Sequence, residues 1–188
     1  RNPPQLQSFQ EKVLPEIMIP LIGTAKELSI LRENAEAVAQ SVLKKKKMKI
    51  KYLIGTMIEI PRAALTADEV AEYADFFSFG TNDLTQMTLG FFFFYVGSFL
   101  PEYVEKGIYE KDPFAVLDRD GVGKVVKLGV ENGRSVKEDL KLGICGEHGG
   151  EPSSIEFCYN NGMNYVSCSP YRVPIARLAA AQAVVNNK

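Results

Sequence analysis

The sequence has little that would direct it to nucleic acid or into a membrane. The formal net charge of its 188 residues is -1, so no overall field attracts nucleic acid or acidic lipid. A membrane helix needs roughly 20 apolar residues, and the longest candidate run, at 91–96, is far too short. These absences predict a protein with no nucleic-acid partner and no membrane partner.

Cysteine is scarce, and histidine is scarcer. The three cysteines are odd in number and irregularly spaced, which argues against a disulfide framework and favours a reducing, cytoplasmic compartment, with a plastid or other organelle left open. No second Cys/His pair lies at ligand spacing, which argues against zinc. The chain begins at Arg1 without a signal-peptide pattern, so we expect an excised domain or a fragment.

Short apolar segments alternate with helical patterns along the whole chain. Strands are predicted at 16–21, 49–54, 76–79, 140–144 and 165–168. Helices are predicted at 25–43, at 70–73 behind a Thr66 to Glu69 capping box, and at 122–132, 153–160 and 174–185. This alternation predicts an α/β fold whose parallel strands are joined by crossover helices. A complete (β/α)8 TIM-type barrel needs eight strands and about 250 residues, so we expect about five βα units from its C-terminal part, or an open sheet.

A lysine run at 44–47, continued by Lys49 and Lys51, resembles a nucleic-acid patch in composition. No aromatic residues interleave with the lysines, as they do where bases stack. We therefore interpret the run as the solvated end of a helix, where the helix dipole favours cations.

Unusual polar residues follow two of the predicted strands. Glu59 stands in an otherwise apolar stretch, where a carboxylate is costly unless it is paired, for example with Arg62, or binds a cation. After the third strand, Gly80 permits a tight turn, and Asp83 would make an oxygen-rich pair with Glu59 that suits Mg²⁺. The alternative is that Asn82 or Asp83 caps the following helix.

A third motif, at 143–150, contains Cys145 and the only histidine, His148, among four glycines. This composition predicts a shaped loop at a strand end. Cys145 is compatible with a nucleophile paired with His148, a general acid, a ligand, or a small buried residue in a turn. Because catalytic groups of α/β barrels lie at the carboxyl ends of the strands, we expect the three motifs to converge on one face.

These motifs resemble the signatures of phosphoenolpyruvate-utilising enzymes. The matching stretches are Gly-Thr-Met-Ile-Glu-Ile-Pro-Arg-Ala at 55–63, Phe-Gly-Thr-Asn-Asp-Leu-Thr-Gln at 79–86 and Gly-Ile-Cys-Gly-Glu-His-Gly-Gly at 143–150. The last of these, with the ending at 165–182, is similar to the dikinase branch of the family. The resemblance implies that residues 1–188 are the C-terminal portion of a phosphoenolpyruvate/pyruvate-binding barrel domain, without the earlier strands, the phosphohistidine domain or the nucleotide-binding domain.

The resemblance also implies roles for individual residues. Phosphoenolpyruvate or pyruvate would be bound by Glu59, Gly80, Thr81, Asn82 and Asp83. Glu59 and Asp83 would hold Mg²⁺, and Cys145 would be the catalytic residue that protonates C3 of the enolate. His148 receives no role, and it does not match the histidine that this family phosphorylates.

The implied activity is that of a phosphotransferase. A dikinase interconverts pyruvate, ATP and phosphate with phosphoenolpyruvate, AMP and diphosphate, using the phosphohistidine domain of the same full-length protein as partner. We expect a homodimer and an inactive isolated fragment, because the arginines that hold the phosphate belong to the earlier strands. The alternatives are a phosphoenolpyruvate synthase or phosphotransferase-system enzyme I barrel, and a non-catalytic dimerisation fragment. The Phe-rich run at 91–95 departs from the family, and we expect it on a loop.

Overall fold

Residues 13–91 and 93–187 are described by a computed structural model. Five parallel strands form one sheet in sequence order, β1 to β5. Their bounds are β1 Glu16–Ile19, β2 Leu53–Ile58, β3 Phe76–Gly80, β4 Lys141–Cys145 and β5 Tyr165–Val166. A doubly wound sheet reverses its strand order at a switch point, and this sheet does not. The predicted α/β class is thus confirmed, whereas closure into an eight-stranded barrel stays a prediction.

Helices follow every strand. Their bounds are α1 Ala25–Lys46, α2 Pro61–Leu65, α3 Ala67–Ala71, α4 Thr81–Leu89, α5 Phe93–Glu105, α6 Val122–Val136, α7 Pro152–Asn160 and α8 Val173–Asn186. Short 3-10 turns lie at Glu147–Gly150 and Pro170–Arg172. Helices α2 and α3 both pack against α6, and α7 packs against α8. None of the helices among the described residues combines the length and apolarity needed to cross a membrane.

Helix α1 begins at a capping box that was not predicted from the sequence. The Thr24 hydroxyl accepts from the Glu27 N–H, and the Glu27 carboxylate accepts from the Thr24 N–H at 2.8 Å. Thr66 makes no such bond to α3, so the capping box predicted there is wrong. The helix ends with Lys44, Lys45 and Lys46 exposed in its last turn, which confirms the interpretation of the lysine run as a solvated helix end.

Several predicted boundaries shift. Strand β2 begins at Leu53 instead of residue 49, and β5 is only two residues long. The expected loop at the Phe-rich run is wrong for residues 93–95, because α5 begins at Phe93. The Phe91 ring packs on Phe99 with their centroids 5.0 Å apart, so aromatic contact takes the place of solvation there.

The core lies between the sheet and its helices. Strand β3 is buried at every position and contributes three of the largest fully buried side chains, Phe76, Phe77 and Phe79. By contrast, the predicted apolar face of α1 buries Leu28 fully but leaves Val38 64% exposed. Burial on both sides positions β3 rigidly in the middle of the sheet, and the candidate site lies at its carboxyl end.

Candidate functional site

The three motifs meet at the carboxyl edge of the sheet. Strand β2 ends just before Glu59, and its partner β3 is paired so that Ile58 lies opposite Phe79. Strand β4 is paired with β3 so that Gly80 lies opposite Cys145. Glu59, Gly80 and Cys145 therefore form one row across three neighbouring strand ends. The structure brings the predicted motifs together as expected.

Glu59 is a buried carboxylate with a single backbone donor. It is 2% exposed, and its Oε1 accepts a hydrogen bond of 2.7 Å from the N–H of Leu21. Leu21 has a φ of 55°, a conformation that is uncommon for a residue other than glycine. Arg62 instead donates to the Gly23 carbonyl at 2.5 Å. The alternative in which Arg62 neutralises Glu59 is thus wrong.

The pKa of Glu59 is raised, first by burial and then by the negative charge of Asp83, while the Leu21 N–H opposes the rise. Two carboxylates that repel each other in a buried site are stabilised by a cation. Among the described residues no group of three or more His, Cys, Asp or Glu is arranged to hold a metal. Two carboxylates with open positions nevertheless fit a hard cation that takes its other ligands from substrate and water.

The side chain of Glu59 lies so close to the backbone at position 80 that only glycine fits there. A Cβ built on Gly80 would lie 2.4 Å from Oε2 of Glu59 and 2.8 Å from the terminal methyl of Met57. Even alanine would therefore displace the carboxylate. The glycine is explained by this contact, since its φ of -85° is open to any residue.

Residues 81–83 form the first turn of α4. Gly80 is the N-cap and no side chain caps the helix, so the alternative that Asn82 or Asp83 serves as the cap is wrong. Asn82 is exposed, and its Oδ1 accepts from the Glu147 N–H at 3.5 Å. Uncapped N–H groups at a helix N-terminus suit an anion, and this turn lies directly beside Glu59.

Cys145 is the last residue of β4 and is a half-buried free thiol. Its Sγ donates to the Phe79 carbonyl at 3.6 Å. Burial raises its pKa, the charges of Glu59 and Asp83 raise it further, and a hydrogen bond with Ser78 opposes them. A thiol with a raised pKa is protonated at neutral pH and is a weak nucleophile. This environment favours a proton donor over a thiolate nucleophile.

His148 does not pair with Cys145. Its Nδ1 lies 2.6 Å from the Thr81 hydroxyl and its Nε2 lies 2.9 Å from the Pro113 carbonyl, so both ring nitrogens are engaged elsewhere. The nucleophilic pair left open by the sequence is therefore wrong. The predicted shaped loop is a 3-10 turn that begins at Glu147, and Cys145 itself belongs to the strand.

Two residues at the site, Ser78 and Gly143, were not among those predicted from the sequence. The buried Ser78 hydroxyl opposes the rise in pKa of both the Cys145 thiol and the Tyr165 hydroxyl, and the Tyr165 hydroxyl donates to the Phe77 carbonyl at 3.2 Å. Gly143 makes room for the Tyr165 ring, because a Cβ there would lie 2.2 Å from it. No local sequence pattern predicts this cluster of Ser78, Cys145 and Tyr165, since it depends on the register of β3, β4 and β5.

A cavity of about 940 Å³ opens beside the row of strand ends. Asn82, Asp83 and Glu147 line its polar side, and Leu100 and Val104 of α5 are among its apolar walls. Two of the predicted substrate-binding residues therefore face a space large enough for a small ligand, since such pockets typically measure about 300–1,000 Å³.

Comparisons with known proteins agree with the motifs. A model described as the PEP-binding domain of PEP-utilising enzymes matches residues 6–185. The chain is 62% identical over 176 residues to a pyruvate, phosphate dikinase of Clostridium symbiosum, covering 94% of this chain and 20% of that protein. It is 60% identical over 173 residues to a chloroplastic pyruvate, phosphate dikinase of Mesembryanthemum crystallinum, covering 92% of this chain and 18% of that protein.

The chain thus spans about a fifth of the length of the curated relatives it matches. The matched region contains all three strand-end motifs and the row that they form. The chain belongs to the family of phosphoenolpyruvate-utilising enzymes, within its phosphoenolpyruvate-binding domain.

Proposed function

We propose that this chain is part of a pyruvate phosphate dikinase, which interconverts pyruvate, ATP and phosphate with phosphoenolpyruvate, AMP and diphosphate. The row of Glu59, Gly80 and Cys145 at three adjacent strand ends carries the proposal. It would bring together a cation site at Glu59, an anion site at the helix that begins after Gly80, and a proton donor at Cys145. The identity to dikinases from bacteria and plants supports this branch of the family.

Glu59 and Asp83 would hold Mg²⁺. The bond from the Leu21 N–H fixes Oε1 of Glu59, and the lack of a Cβ at Gly80 leaves room for Oε2. Magnesium bound there would supply positive charge beside the oxygen on which the charge of an enolate develops. The two carboxylates are held on strand and helix ends that are rigid because β3 is buried throughout.

The first turn of α4 would receive the anionic part of phosphoenolpyruvate or pyruvate. Gly80 brings the backbone close to the carboxylates, and Thr81, Asn82 and Asp83 present the N–H groups of an uncapped helix N-terminus. The Asn82 side chain is exposed on the cavity and is available as a further polar contact.

Cys145 would move the proton at carbon. In the direction of pyruvate, the thiol donates its proton to C3 of the enolate and becomes a thiolate; in the opposite direction the thiolate removes a methyl proton from pyruvate. The raised pKa of Cys145 supports the acid role, since the proton is present at neutral pH. Ser78 would hydrogen-bond the thiolate left behind.

Turnover by the full-length protein that contains this chain tests the proposal. We expect pyruvate to form from phosphoenolpyruvate only when AMP and diphosphate are both supplied, with phosphate and ATP as the other products. Pyruvate formation that needs no diphosphate would contradict the dikinase assignment and favour a synthase. Cytoplasmic location and partnership with a phosphohistidine domain are proposed together with this activity.

Replacing Gly80 with alanine should weaken binding of a divalent cation. The added Cβ displaces the Glu59 carboxylate, and loss of ligand orientation typically costs about 10–100-fold in metal affinity. Titration calorimetry of the full-length protein with Mg²⁺ measures the change. Gly97→Ala is the matched control, because a Cβ at Gly97 meets no atom within 4 Å. Unchanged affinity in the Gly80 variant would argue against Glu59 as a ligand.

A non-catalytic association unit is the second candidate. Strands β1 and β5 are both edges of the described sheet, and unpaired edges promote association. Apolar side chains outside the core, such as Val38 at 64% exposed, add to this tendency. Sedimentation of the chain tests it: a homodimer is expected, and a compact monomer at all concentrations would count against it.

A further inference from the structure

His148 is a titratable side chain that the proposed reaction does not use. It is the only histidine of the chain, and its exposed fraction is 0%. Its two ring nitrogens contact different parts of the molecule, the first residue of α4 and the carbonyl of Pro113 in the segment between α5 and α6. Burying an imidazole is costly unless both nitrogens are satisfied, and both are satisfied here.

The partners of the ring define its protons. The Pro113 carbonyl can only accept, so Nε2 carries a hydrogen. Burial lowers the pKa of His148 against the opposing charges of Glu151, Glu147 and Asp112, and a neutral ring then leaves Nδ1 as an acceptor. The Thr81 hydroxyl therefore donates to Nδ1 at 2.6 Å, although the Cys145 carbonyl is a competing acceptor at 3.1 Å.

Three wall segments of the cavity beside the site are joined through this one ring. Thr81 directly precedes the lining residues Asn82 and Asp83. Pro113 stands between two further lining residues, at 112 and 114, and His148 follows the lining residue at 147. The ring thus connects the turn that carries Asp83 with two segments from other parts of the chain.

We propose that His148 is a positioning residue, which holds the first turn of α4 against the segment around Pro113 and so sets the width of the substrate cavity. This inference rests on the proposed function. The ring touches neither the cavity nor the cation site, and it acts through the Thr81 hydroxyl and the Pro113 carbonyl.

Three substitutions of His148 separate the two contacts. His148→Asn keeps a polar acceptor near Nδ1, His148→Gln keeps a donor near Nε2, and His148→Leu removes both. In the full-length protein we expect the leucine variant to raise KM for pyruvate about 10-fold or more. The change in kcat should be smaller, and the amide variants should lie between leucine and wild type. If His148 contributed only packing, the asparagine and glutamine variants would not restore part of the affinity for pyruvate.

A double-mutant cycle tests the path through Thr81. Thr81→Val removes the hydroxyl, and because it acts through the same contact, adding it to His148→Leu should raise KM little further. Val70→Ala is the stability control, because this fully buried side chain belongs to α3, which packs against α6, and its truncation leaves a cavity there. It should lower Tm without changing KM.

Nitrogen NMR of the ring gives a readout besides activity. In the full-length protein labelled at histidine, the His148 signals are those that disappear in His148→Leu, and they should show hydrogen on Nε2 at neutral pH and a shift of Nδ1 in Thr81→Val. A ring that carries hydrogen on Nδ1 alone, or an unchanged KM in His148→Leu, would overturn the inference. If the wild-type protein has no dikinase turnover, the proposed function fails. The positioning role depends on the contact between His148 and Thr81, and the response of Nδ1 to Thr81→Val still supports or overturns that contact.

Discussion

Replacing Cys145 with alanine is expected to stop pyruvate formation by the full-length protein while leaving phosphorylation of its distant histidine intact. In the proposed mechanism this thiol donates the proton to carbon, and a positioned acid or base typically contributes about 10²–10⁴-fold to a rate. In the proposed dikinase the histidine is phosphorylated on a different domain, in a step that needs no proton transfer at carbon. Pyruvate release and labelled phosphohistidine, measured on the same preparation, separate the two steps.

Cys168→Ala is the matched control for this substitution. Cys168 is also a half-buried free thiol, but it packs beside the small cluster of Ile155, Ala176 and Ala179 instead of the strand row. Its variant should retain wild-type turnover. Full turnover in the Cys145 variant would remove Cys145 from the mechanism and leave only a structural role for the thiol.

Replacing Glu59 with glutamine is expected to stabilise the metal-free protein while eliminating its turnover. The pKa of Glu59 is raised in the folded state, so its ionised form is disfavoured by folding. This loss of folding free energy is absent at pH values below the pKa that Glu59 has in the unfolded chain. It grows as the pH rises from that pKa to the higher pKa of Glu59 in the folded protein. Glutamine avoids the cost, so the glutamine variant should unfold at a higher temperature than wild type.

The pH and metal dependence make this prediction specific. Thermal unfolding without metal should place the glutamine variant above wild type at neutral pH, and the two should converge in acid. Saturating Mg²⁺ should reverse the order, since a ligand that binds the folded state stabilises it and the variant has lost one ligand. Glu33→Gln, at an exposed position on α1, should change Tm little under every condition. A wild type more stable than the variant without metal would contradict the buried-charge account.

Such a trade-off is common where a site must hold repelling charges for function. Leu21 illustrates it as well, because its left-handed backbone presents the N–H that Glu59 accepts. Both features cost stability in the absence of a ligand. They are therefore typical of a functional site that is stabilised by what it binds.

The sequence predicted the strand-end motifs because side-chain chemistry and spacing are local. A carboxylate after an apolar strand, a Gly-Thr-Asn-Asp turn and a cysteine among glycines are all visible within a few residues. The helix at α1 was equally predictable from its spacing. Its capping box at Thr24 was not predicted, and the one predicted at Thr66 for the helix at 70–73 does not form, because a capping box depends on where a helix begins.

Other features of the site depend on register between distant segments. The alignment of β1 with β2 decides whether Arg62 meets Glu59 or Gly23, and the alignment of β3 with β4 decides whether His148 meets Cys145 or Thr81. The cluster of Ser78, Cys145 and Tyr165 has the same origin. The hydrogen bond from the Tyr165 hydroxyl to the Phe77 carbonyl joins residues 88 positions apart, and no local pattern encodes it.

The amino-acid sequence alone therefore established the α/β class, the family and the chemical groups at three strand ends, since each rests on short-range pattern. The fold supplied the partners of those groups: the Leu21 N–H for Glu59, the close approach of Gly80, and the buried imidazole between Thr81 and Pro113. The physical reason is that residue chemistry is local, whereas burial, pKa and hydrogen-bond partners arise only when distant strands are aligned.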